Sequence, residues 1–138
     1  MTDQEDIGAV VDEMYAMISV PAGPRDWSRQ ANCFLPESRL VRTSVDGDGN
    51  PQMLAMGLAD YRENTTPFFA ANPFYEIETE RRIDLFGNIA HVWSHFEART
   101  SPDATYVERR GINSIHLFRH ATHGWRILAM IWDNERQH

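Results

Sequence analysis

Four β-prone runs follow one another through the second half of the chain with almost nothing between them: Phe74–Phe86, Ile89–Thr100, Tyr106–Arg119 and Trp125–Asp133. Only Gly87-Asn88, Ser101–Thr105 and His120–Gly124 separate them. Alternating runs this long, divided by short polar breaks, read as an antiparallel meander. A long curved sheet has a concave face, which must be covered or left as a pocket.

The first half supplies the cover. Ile7, Val10, Val11, Met14 and Ile18 recur at helical spacing, and Asp3 and Glu5 suit a helix N-terminus, so a helix is expected over 6–19. Pro21 and Pro24 stop it, and Pro24 suits the start of a second helix over Arg25–Cys33. Arg39–Thr43 reads as a short strand, Asp46–Pro51 as a turn, and Leu58–Phe69 as a third helix with Pro67 at its end. Three N-terminal helices on a strongly curved mixed or antiparallel sheet make an α+β domain with an internal pocket. No repeat or linker interrupts 1–138, so a single domain is expected.

Charge and composition exclude several functions. The net charge is -7 and no basic cluster exceeds Arg81-Arg82 or Arg109-Arg110, which argues against nucleic-acid binding. All 13 basic residues are arginine, so lysine Schiff bases, lysine-anchored pyridoxal phosphate and a phosphate-loop lysine are ruled out. No apolar run reaches the roughly 20 residues that cross a bilayer. The acidic start and the lone Cys33 lead us to expect no secretory signal and a cytoplasmic setting.

Turn geometry suggests a register. A two-residue turn at Gly87-Asn88 pairs Phe86 with Ile89, a four-residue loop pairs Arg119 with Gly124, and Thr100 is set opposite Tyr106. One face then carries Arg81, Ile83, Leu85, Ala90, Val92, Ser94 and Phe96, continuing through Ser114, His116, Phe118, Ile127, Ala129, Ile131 and Asp133. This face is expected under the helices. The other face carries the wet run Glu76, Glu78 and Glu80, and farther across Trp93, Asn113, Ile115, Leu117, Leu128, Met130 and Trp132. Its far end is too apolar for a free surface, so a homodimer packed sheet to sheet through Trp93, Asn113, Ile115, Leu128, Met130 and Trp132 is expected.

Pro21–Trp27, Phe34-Leu35-Pro36, Phe86–Ser94, Arg110–Ser114 and Gly124–Ile127 resemble, in this order and over nearly the whole chain, the SnoaL-like branch of the NTF2-like superfamily. The resemblance implies a cone-shaped α+β fold with a deep pocket, commonly dimeric. Its members include ketosteroid isomerases, polyketide cyclases, dehydratases and binding proteins, so it implies no single activity. Tyr15 lies on the first helix, where an enolate-stabilising tyrosine occurs in the isomerases. Their base is expected near Arg39–Thr43, where Leu40, Val41 and Arg42 offer no carboxylate.

Two readings stand side by side: a pocket for a small, largely apolar molecule, or a cofactor-independent isomerase, cyclase or dehydratase. For the second, His116, Asp133 and Tyr15 are the acid/base candidates, because histidine titrates near neutrality. Trp27, Phe34, Tyr61, Phe69, Arg81, Ser94 and Ser114 are the candidate ligand contacts, apolar walls with a few polar groups. An inward Arg81 needs an anion, either Asp133 or a ligand. His91 and His95 start about 13 Å apart on a strand and no third ligand completes them, so we expect no metal. They are expected opposite Asp84 and Glu80. Asp46-Gly-Asp48-Gly-Asn50 lacks the glycine and glutamate of a calcium loop and reads as a plain turn. No cofactor-binding pattern is present.

Overall fold

The computed structural model describes residues 2–136. Helix α1 (Asp3–Ile18) is capped by Thr2, whose hydroxyl accepts the Glu5 N–H at 3.1 Å. Asp3, Glu5 and Asp6 sit in its first turn, and its buried stripe holds Ile7, Val10, Val11, Met14, Tyr15, Met17 and Ile18. A 3₁₀ helix (Trp27–Asn32) follows, then strands β1 (Phe34–Val45) and β2 (Pro51–Met56), and helix α2 (Leu58–Ala71). The meander is β3 (Tyr75–Phe86), β4 (Ile89–Arg99), β5 (Arg109–His120) and β6 (Gly124–Asn134). The six strands form one mixed sheet in the order β2-β1-β6-β5-β4-β3, with β1 parallel to β6 and every other pair antiparallel.

The expectation of three N-terminal helices is corrected. The second is one short 3₁₀ helix, and α2 lies between β2 and β3. The expected five-residue strand at Arg39–Thr43 is part of a 12-residue β1, and β2 answers it across the Asp46 turn. There the Asp46 carboxylate accepts the N–H groups of Asp48 and Asn50, both at 2.9 Å, as an Asx turn does. Pro67 does not end α2. Thr65 and Thr66 donate to the carbonyls of Tyr61 and Arg62, and buried Tyr61, Thr65 and Phe69 hold the helix to the core across the proline.

Arg25 ties this half together. Only 7% exposed, it donates to the carbonyls of Ile18, Val20, Pro21, Gly23 and Phe69, and its guanidinium lies 4.0 Å from the centre of the Phe69 ring. One side chain thus satisfies the carbonyls left by the end of α1 and its following loop, and joins them to the end of α2.

Register decides which residues face the helices. The Gly87-Asn88 turn is as expected: Phe86 pairs with Ile89, and Gly87 has a φ of 56°, which a two-residue hairpin loop requires. Three one-residue irregularities then change the faces. Thr79 is an extra residue in β3, between the pairs Glu78–Phe96 and Glu80–His95, so Glu78 and Glu76 turn inward. Ser94 pairs with Asn113, not Ile112, so Asn113, Ile115 and Leu117 are inner while Ser114, His116 and Phe118 are outer. Leu128 is an extra residue in β6, between Leu117–Ile127 and His116–Ala129, so Met130 and Trp132 turn inward and Ile131 and Asp133 outward. The β5–β6 loop also pairs Gly124 with His120 rather than Arg119.

Candidate functional site

A cavity of about 420 Å³ lies between the inner sheet face, α1 and α2. Its closed part is apolar: Met14, Met17 and Ile18 from α1, Phe34 and Leu40 from β1, Phe96 from β4 and Met130 from β6. Tyr61 and Phe69 of α2 close one side, and Trp27 packs behind both at ring-centre distances of 5.9 and 6.1 Å without lining the space. Polar residues gather where exposure rises: Arg42, Asn64, Arg109 and Asn134.

One carboxylate lines this space. Glu76 reaches it because the Thr79 bulge has turned β3 over. Burial pushes its carboxyl up from 4.5 to about 7, only partly offset by the hydrogen bond from Asn113 and the nearby charge of Arg109. The Asn113 amide N–H donates to the Glu76 carboxylate at 3.2 Å and to the Tyr15 hydroxyl at 3.0 Å. Tyr15 in turn lies 2.6 Å from the Ser94 hydroxyl, which donates to Glu78, and Glu78 is paired with Arg81. The donors run in one direction, from Asn113 through Tyr15 and Ser94 to Glu78, so each buried oxygen is satisfied. Asn113 and Ser94 are 2% and 0% exposed, which makes this polar rod a fixed part of the core holding Glu76 at its cavity end. Burial raises the Tyr15 phenol well above its ordinary range, and raises that of Tyr61 likewise, with the Glu76 charge adding to both. The Tyr61 hydroxyl has no hydrogen-bond partner among the described residues.

The sequence-derived candidates divide accordingly. Phe34, Tyr61 and Phe69 line the cavity. Tyr15 and Ser94 belong to the polar rod behind it. Arg81 faces α1, but Asp12 and Glu78 supply its anions in place of Asp133 or a ligand. His116, Asp133 and Ser114 are on the outer face, away from the cavity and from Tyr15, because of the β5 register and the Leu128 bulge. There His116 meets His91 edge-on at a ring-centre distance of 4.9 Å, the His91 ring nitrogen is 2.9 Å from the Ser114 hydroxyl, and Asp133 pairs with Arg136. His91 and His95 stand opposite Asp84 and Glu80 as expected. Asn113, Ile115, Met130 and Trp132, expected at an interface, are inner residues, while Trp93 and Leu128 are exposed. Among the described residues no group of three His, Cys, Asp or Glu could hold a metal ion.

Sequence reasoning missed Glu76, Asn113, Arg42 and Arg109. Glu76 sits in an alternating acidic run that reads as a wet face. Nothing in Glu76–Glu80 marks Thr79 as the extra residue.

Neither a family model nor a curated protein matches the sequence. Solved structures do match. An NTF2-like protein of unknown function from Shewanella baltica aligns over 97% of this chain and 94% of its own, with a TM-score of 0.66 and 14% identity. A protein of unknown function with a cystatin-like fold from Nostoc punctiforme aligns over 97% and 92%, at 0.73 and 9%. A candidate ketosteroid isomerase from Shewanella frigidimarina aligns over 93% and 94%, at 0.63 and 17%. The chain therefore has the NTF2-like fold, a mixed sheet curved into a cone and covered by helices. Identities this low fix the architecture and assign no activity. Among the described residues no helix is long and apolar enough to cross a membrane.

Proposed function

We propose that this protein binds a small, largely apolar molecule in the cavity between the inner sheet face and the two α-helices. The carrying observation is a largely apolar space of about 420 Å³ with one carboxyl, Glu76, and one phenol, Tyr61, at its wall. That combination of size, apolar walls and few convergent polar groups is what a ligand site requires. Native mass spectrometry of freshly purified protein, with a denatured run alongside, tests it together with Thr65→Trp, which fills the space from α2. A co-purifying or added apolar ligand lost in the variant supports binding. A folded wild type that takes up none of a broad apolar panel refutes it.

A catalytic reading is favoured by the same carboxyl. A group titrating near 7 beside a phenol suits proton abstraction next to a carbonyl, with Glu76 as base and Tyr61 facing the developing oxyanion. Glu76 and Tyr61 then take the roles first sought in His116, Asp133 and Tyr15. Proton exchange into enolisable cyclic ketones in D₂O, followed by NMR, distinguishes it: Glu76→Gln abolishes exchange and retains binding if the reading holds, and equal rates for both proteins remove it.

The homodimer also remains a proposal, on altered residues. Ile89, Trp93, Phe118 and Ile131 are 61%, 38%, 37% and 44% exposed on the outer face, an apolar surface that suits a second copy. Mass photometry at micromolar concentration reads the outcome directly: a dimer that Trp93→Glu dissociates supports it, and a bare wild-type monomer refutes it.

A further inference from the structure

We propose that the ligand is an amphipathic monocarboxylate, its apolar body among the methionines and phenylalanines and its carboxylate held at the cavity mouth by Arg42 and Arg109. The inference rests on the binding reading above and adds the chemical class. Among the described residues six arginines pair with a carboxylate: Arg29 with Glu13, Arg81 with Asp12 and Glu78, Arg82 with Asp84, Arg99 and Arg110 with Glu97, and Arg136 with Asp133. The two arginines lining the cavity have no carboxylate within ion-pair distance among the described residues. Arg42 gives one N–H to Asn64 at 2.7 Å and lies 5.9 Å from the Trp132 ring centre. Arg109 lies 6.0 Å from the Phe68 ring centre, and no described acceptor bonds its guanidinium. A guanidinium presents five donors in a fork that matches a carboxylate, so most of this capacity is unused.

Position separates the two ends of the ligand. Arg109, Asn64 and Phe68 are exposed, whereas Met14, Met17, Leu40 and Met130 are buried, so the charged groups ring the opening and the apolar ones form the floor. An anion at the opening keeps contact with water and an apolar tail leaves it, the inexpensive arrangement for both. Glu76 narrows the class further. It faces Tyr61 from α2, Asn113 and Arg109 from β5, and Tyr15 lies behind Asn113. A single negative charge at Arg42 and Arg109 is compatible with Glu76 in its protonated form. A monoanion repels Glu76, when that carboxyl is ionised, less than a phosphate dianion would.

The test is calorimetric titration at pH 6.5 with three probe sets: 2-naphthaleneacetate and octanoate, their matching primary alcohols, and 2-naphthyl phosphate. Wild type binds the acids about tenfold or more tighter than the alcohols, the scale of one or two charge-assisted hydrogen bonds. Arg42→Gln/Arg109→Gln removes that preference by weakening acid binding far more than alcohol binding, with circular dichroism checking the fold. Equal binding of acid and alcohol by wild type overturns the carboxylate assignment while the apolar cavity stands. Tighter binding of the phosphate overturns it as well. Binding of none of the probes at millimolar concentration overturns both this inference and the reading beneath it.

Discussion

Replacing Glu76 with Gln should make the protein more stable, by an amount that grows from about pH 4.5 to about 7 and then stays constant. In the unfolded chain the carboxyl loses its proton near its ordinary value of 4.5, while in the folded protein burial holds it until about 7. Across that window the folded state binds more protons than the unfolded one, so stability falls as pH rises. Above about pH 7 the loss is complete. The two values differ by about 2.5 pH units at about 1.36 kcal/mol each, giving up to about 3 kcal/mol, a ceiling because the group opens on the cavity. Gln keeps the shape and still accepts from Asn113, but carries no charge. Urea denaturation of both proteins at pH 4.5, 6 and 8.5 should show a difference that grows by about 2–3 kcal/mol over that range. In a thermal scan this is about 7–10 °C for 138 residues. Every other titrating group is common to both proteins and cancels. Curves that run parallel from pH 4.5 to 8.5 would refute the buried, proton-holding Glu76 on which the site depends.

Arg25→Lys should cost about 2–4 kcal/mol in urea denaturation despite retaining the charge, because one ammonium cannot reach carbonyls as far apart as Ile18 and Phe69. Gly111→Ala should cost about 1–3 kcal/mol and perturb ligand binding together, since its new methyl would meet the Asp133 carbonyl at 2.5 Å and the cavity-lining Phe96 ring at 2.6 Å. Cys33 is fully buried and burial pushes its thiol up to about 12, so iodoacetamide at pH 8 should label native protein negligibly and urea-unfolded protein fully. Rapid labelling of the native protein would show that the core around β1 opens readily.

Local pattern alone carries much of this architecture. The Ile7–Ile18 stripe makes α1 amphipathic whatever it packs against, and Gly87-Asn88 sets its hairpin because a two-residue loop admits few backbone conformations. The absence of lysine removes whole classes of chemistry without any structure. The strand β2 was not legible, since Pro51–Met56 is short and exposed in all but its last residue, so no burial pattern marks it. α2 outran its proline because Tyr61, Thr65 and Phe69 bury across it, a tertiary contact overriding a local penalty.

The site, by contrast, was decided by tertiary structure. Strand side chains alternate with a period of two, so one inserted residue exchanges the faces of everything beyond it. Thr79 in β3, Leu128 in β6 and one step of register between β4 and β5 each do this. Together they bring Glu76, Asn113, Met130 and Trp132 to the cavity and send His116, Asp133 and Ser114 to the outer surface. An alternating sequence states that a strand has two faces. Which one lies under the helices depends on where the pairing energy of six strands places the extra residues, and that sum exists only in the assembled sheet.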